Sequence, residues 1–150
     1  MPRQMSEKNE WEFAELKAFL HFYNTHVRGI SEDNPIHPSL VLEQIITKFG
    51  RSKALSGLRQ AINDTIEETQ RYNSNQVAAL DQSCTENGVI TLSDLRRRYW
   101  RKYKTIVEKR RIRNDTEYYL VVGILSDLSS TANKEERQLL QEFVDAYENK

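Results

Sequence analysis

Ten basic residues and a single acid, Glu108, fall between Arg96 and Arg113. The stretch reads Arg96-Arg97-Arg98-Tyr99-Trp100-Arg101-Lys102-Tyr103-Lys104 and resumes as Lys109-Arg110-Arg111-Ile112-Arg113. It carries +9, and because the 150-residue chain has a formal net charge of zero, the remainder carries −9. Such a cluster seeks anions. A lysine or arginine that meets a phosphate releases counterions, and the same field steers an acidic protein. On a helix, Tyr99 and Tyr103 share an inward stripe with Leu95 and Ile106, which leaves Arg97, Arg98, Arg101, Lys102 and Lys104 on the outer faces. Trp100 falls at the edge of the stripe, where an indole can stack on a base or pack on a partner. The candidate contact residues are therefore Arg97, Arg98, Trp100, Arg101, Lys104, Arg110 and Arg111. The chain also holds acids that could neutralise them at home: Asp64, Glu67 and Glu68, or Glu135, Glu136, Glu142 and Asp145.

Other chemistries find little footing. His21 and His26 are five apart, on different faces of a helix, whereas zinc spacing on a helix is i, i+4; His37 lies between prolines. The pattern gives a partly buried His21, two surface histidines and no metal site. Cys84 is the only cysteine, so no internal disulfide forms, and it reads as a small buried hydrophobe. Phe49-Gly50-Arg51-Ser52-Lys53 lacks phosphate-loop spacing, and there is no G-x-S-x-G elbow. Paired acids such as Glu67 and Glu68 fall on a polar helix face beside solvent, which gives no footing for acid catalysis. No catalytic residue and no cofactor are expected. The loop 28–38, stiffened by Pro35 and Pro38, reads as a connector before a recognition surface.

The elements that must position the basic segment are helical. Three prolines, all by position 38, and five glycines are too few for the turns of an all-β fold. Apolar residues recur at three- and four-residue steps over 9–28, 38–49, 52–72, a shorter segment around Val77, Leu80 and Cys84, and from Leu92 to Val107. Two further helices follow, 115–127 and one starting at Asn133. Gly29 and Gly50 act as stops, and Ser52, Thr91, Asn114 and Asn133 as caps, the last three with Asp94, Glu117 and Glu136 three residues on. The expected fold is all-α: an irregular bundle of six or seven helices, one domain over 9–148 behind a disordered tail, 1–8. The helix holding Tyr118 to Leu125 is apolar nearly all round and should be central. A minority alternative makes Glu117 to Leu125 a strand of a winged-helix wing, with a hairpin turn at Arg113, Asn114 and Asp115. A helix-turn-helix drawn from Val77 through Gly88 to Arg98 is weaker, because its connection exceeds the usual turn.

Charged residues make up 29% and hydrophobic residues 38%, too apolar for a disordered chain and too polar for a membrane protein. No run approaches the roughly 18 apolar residues of a spanning helix, and the N-terminal residues lack the apolar core of a secretory signal. The expectation is a cytoplasmic, non-enzymatic protein-binding module, such as an inhibitor, immunity-like or adaptor component, docking an acidic partner through its basic face. The alternative is a nucleic-acid-binding regulator using the same face. A sequence pI near 6.8 argues against it, because nucleic-acid domains usually exceed about 9. An enzyme is the third and weakest reading.

Overall fold

The structure, a computed structural model, describes residues 5–150. The described residues form eight α-helices and one π-helical turn and no strand: α1 (Glu7–Phe22), the π turn (Tyr23–Val27), α2 (Pro38–Phe49), α3 (Arg51–Glu68), α4 (Ser74–Glu86), α5 (Leu92–Tyr99), α6 (Arg101–Lys109), α7 (Asp115–Ser126) and α8 (Lys134–Glu148). The fold is the all-α one expected. The winged-helix alternative falls, because the segment proposed as a strand is α7. The chain divides into two compact units, the first ending at Asp64 and the second Thr65–Lys150.

In the first unit the Ser6 hydroxyl accepts the Asn9 N–H at 3.1 Å, so α1 begins two residues before the expected start. Residues 6–8 of the expected tail thus belong to the helix and its cap; residues 1–4 lie outside the described residues. Phe13, Leu16, Phe19 and Leu20 bury one face of α1. The helix then widens by one residue per turn: Arg28 N–H donates to Tyr23 O at 3.0 Å, and the Asn24 side chain donates to Leu20 O at 2.8 Å. Gly29, at φ 70°, turns the chain away.

His37 corrects the sequence reading. It is fully buried, not on the surface, because it caps α2: its Nδ1 accepts the Ser39 N–H at 3.1 Å and its Nε2 pairs with the Thr25 hydroxyl at 2.9 Å. His21 lies beside it, ring centroids 5.1 Å apart, with its own nitrogens on Ser39 Oγ and Glu32. All four ring nitrogens are engaged. Among the described residues no group of three or more His, Cys, Asp or Glu is arranged to hold a metal. Gly50 ends α2 and α3 starts at once, which puts Ser52 inside its first turn and not at its cap.

The second unit is organised around α7, which packs against α4, α5, α6 and α8. Leu120, Val121 and Ile124 are fully buried there. Asn73, Thr91, Asn114 and Asn133 cap α4, α5, α7 and α8 through their side chains. The expected long fifth helix is broken. Trp100 is extended (φ −84°, ψ 124°) and separates α5 from α6. No glycine or proline causes this. The indole is buried, and its N–H must find an acceptor, which it does at Glu67 Oε1, 3.2 Å away.

Two helical glycines have opposite surroundings. A Cβ on Gly57 of α3 meets nothing, whereas a Cβ on Gly123 of α7 would stand 2.8 Å from Ser93 Oγ and 3.0 Å from Val77 Cγ1. Gly57→Ala is expected to raise the unfolding free energy by about 1 kcal/mol, through helix propensity and a less flexible unfolded chain. Gly123→Ala is expected to lower it by roughly 2 kcal/mol, because the contacts of α7 with α4 and α5 have no slack. Urea titrations of both variants check the pair of signs.

Candidate functional site

The front of the basic segment is neutralised from within. Asp94, one turn before the arginines, is buried and accepts from Arg97 Nη1 at 3.3 Å, Arg98 Nη2 at 3.4 Å, and the hydroxyls of Ser130 and Thr131. Arg97 also donates to Glu136 Oε2 at 2.9 Å and to Thr131 Oγ1 at 2.9 Å. Tyr103 hands its hydroxyl to the same Glu136; burial first, then that hydrogen bond, pushes the phenol upward. Arg96 is 1% exposed, donates to Thr69 O at 2.7 Å, and lies 5.0 Å from the Trp100 ring. Burial lowers its pKa to about 10, against the pull of Asp81.

Of the seven candidate contact residues, three therefore do not face outward as expected. Arg97 and Arg98 are paired at home, and Trp100 is 4% exposed, its indole serving the α5–α6 break. The helix-turn-helix reading placed Arg96, Arg97 and Arg98 on a second helix, and α5 does carry them after α4, but Arg96 is buried and the other two are paired within the chain. Lys104 is exposed but lines a cavity together with Glu108, Glu135 and Glu136. Arg101, Arg110 and Arg111 are exposed and make no ion pair among the described residues. Glu136 was among the acids the sequence offered as neutralisers. Asp94 was not, although its i+3 and i+4 spacing to Arg97 and Arg98 is the signal that finds it.

Arg110 and Arg111 sit where α6 turns into α7. Arg110 holds a left-handed backbone (φ 57°, ψ 37°), the only positive φ outside glycine among the described residues. Its N–H and that of Arg111 both return to Ile106 O, which closes α6. Ile112 then turns inward, and Arg113 grips Glu117, Nη2 to Oε2 at 2.8 Å. Glycine is the residue that takes this left-handed cap without strain. Arg110→Gly is expected to stabilise the fold by up to about 1 kcal/mol, read as a higher urea midpoint, while it removes an exposed cation. Beside this corner, Phe143 and Tyr147 of α8 and Lys150 just past its end line one cavity. Their spacing of four and three was visible in the sequence, but their place opposite the basic turn was not.

A second concavity, of about 530 Å³, is lined by Asp81 and Asp127 among hydroxyls and amides. Both carboxylates serve the start of α5 and the turn after α7. Asp81 accepts the Ser93 N–H at 3.1 Å and its hydroxyl; Asp127 accepts from Thr91 and from Ser129. Cys84 is fully buried nearby, and burial pushes its thiol up to about 12, with Asp81 adding to the effect. A thiol that holds its proton so tightly is a poor nucleophile. Comparison with protein-family models, curated proteins and solved structures finds no match for the chain.

Proposed function

We propose that the protein is a non-enzymatic binding module, an inhibitor, immunity-like or adaptor component, that docks an acidic protein partner at the α6–α7 corner of its second unit. The observation that carries this reading is the contrast along one segment. Arg97, Arg98 and Arg113 are answered by Asp94, Glu136 and Glu117, whereas Arg110 and Arg111 are exposed with no internal carboxylate. The strained backbone at Arg110 supports it, because a fold selected for stability alone favours glycine there. A protein partner suits the geometry better than nucleic acid does. Duplex binding gains from a row of phosphate contacts; pairing takes Arg97 and Arg98 out of that row, burial takes Arg96, Lys104 stands beside Glu108, Glu135 and Glu136, and the chain as a whole carries no net charge.

The test is capture of the immobilised full chain by polyglutamate and, in parallel, by duplex DNA, at ~50 mM and ~200 mM salt. Retention of polyglutamate that is lost in Arg110→Glu/Arg111→Glu supports the proposal. Retention of DNA alone, or polyglutamate capture that survives the double reversal, overturns it.

A further inference from the structure

The same corner has a concave side. Arg110, Arg111 and Arg113 from the α6–α7 turn, Phe143 and Tyr147 from α8, and Lys150 just past the end of α8 surround a cavity of about 290 Å³. We infer that this cavity seats a phosphate monoester carried on an apolar or aromatic stem, presented by the partner as a phosphorylated side chain. The inference rests on the docking reading above and names what the docking surface recognises.

Charge comes first. Arg113 is spoken for by Glu117, which leaves Arg110, Arg111 and Lys150 around one cavity with no ion-pairing carboxylate among the described residues. Like charges gathered this way repel one another, and an anion between them relieves the repulsion. A carboxylate is satisfied by one guanidinium. A phosphate monoester carries nearly two charges and three terminal oxygens, which matches three separate cations. The floor speaks for the stem. Phe143 is buried, and the Tyr147 ring is held in place: its hydroxyl donates to Asp115 at 2.6 Å, the Tyr118 ring stacks on it at 5.3 Å, and Lys150 Nζ stands over a face, 4.8 Å from the centroid. A ring or alkyl stem bearing the phosphate would lie against these apolar faces.

The experiment titrates the full chain with inorganic phosphate, phenyl phosphate, benzoate and adenosine monophosphate, read by calorimetry and by amide shifts. Phenyl phosphate is expected to bind at least about tenfold tighter than benzoate and tighter than inorganic phosphate, with shifts at residues 110–113 and 143–150. Arg111→Gln should weaken both phosphates. Tyr147→Ala should weaken phenyl phosphate while leaving inorganic phosphate unchanged, a split that general loss of folding does not produce. Equal affinity for benzoate, indifference to Arg111→Gln, or absence of binding overturns the inference. Tighter binding of adenosine monophosphate than of phenyl phosphate assigns the seat to a free nucleotide and overturns presentation by a partner. The two proposals fail distinguishably: silent phenyl phosphate with intact polyglutamate capture removes the seat alone, and the reverse result removes the docking surface and presentation by a partner while the phosphate seat stands.

Discussion

Asp94→Ala is expected to lower the unfolding free energy by about 3 kcal/mol, at the low end for breaking a buried charged cluster. The carboxylate is 3% exposed and accepts from four side chains, those of Arg97, Arg98, Ser130 and Thr131. Its removal takes the Asp94 acceptor from two guanidinium groups and two hydroxyls, while Arg97 keeps Glu136. The arginine side chains keep 17% and 30% of their exposure, so each regains some water, which is why the loss stops short of the upper range. Arg97→Ala alone should cost less, roughly 1 kcal/mol, because Asp94 retains its other donors. The double variant Asp94→Ala/Arg97→Ala should be more stable than the sum of the singles implies. Urea unfolding of the three proteins measures this, and strict additivity would show that Asp94 and Arg97 do not act as a unit.

Stability should also depend on Asp81, and in the direction opposite to that of a salt-bridged carboxylate. Burial raises its pKa from 3.8 to about 6, outweighing the hydrogen bonds from Ser93. Asp127 adds to the rise and Arg96 opposes it. The folded state therefore holds this proton more tightly than the unfolded chain does. The resulting stabilisation is complete below about pH 4, fades as pH rises, and is gone above about pH 6; its span is up to about 3 kcal/mol. Other groups superpose their own trends, so the readout is a difference. Asp81→Asn keeps an acceptor for the Ser93 N–H and removes the charge. It should be more stable than the parent at pH 7.5, with the advantage shrinking to nothing near pH 4. Parallel pH profiles for the two proteins would refute the assignment.

What the sequence made legible was local. Asn114 and Asn133 cap their helices because a side-chain oxygen three residues before an N–H is a property of the chain itself. Gly29 and Gly50 stop theirs for the same kind of reason. The positions the sequence hid are decided by distant partners. Nothing near Trp100 announces a break; the break follows from an indole whose acceptor, Glu67, is 33 residues away. Arg96 looks like its two neighbours in sequence, yet the helix turns it onto the Thr69 carbonyl and away from solvent. His37 sits among loop residues and is drawn inside because it completes the first turn of α2. Of the candidate contact residues, Arg97 and Arg98 were lost to Asp94 and Trp100 to the interior, whereas Arg101 and Lys104 on α6 and Arg110 and Arg111 at its left-handed end remained outside.

The two tryptophans are divided between the compact units, Trp11 in the first and Trp100 in the second. They also differ in burial, 72% against 4% exposed. Intrinsic fluorescence of the native protein is thus the sum of a wet emitter and a dry one. Iodide should quench the first and spare the second, leaving a blue-shifted remainder. On denaturation Trp11 has little left to report, so the spectral transition follows the half of the chain that carries the basic corner.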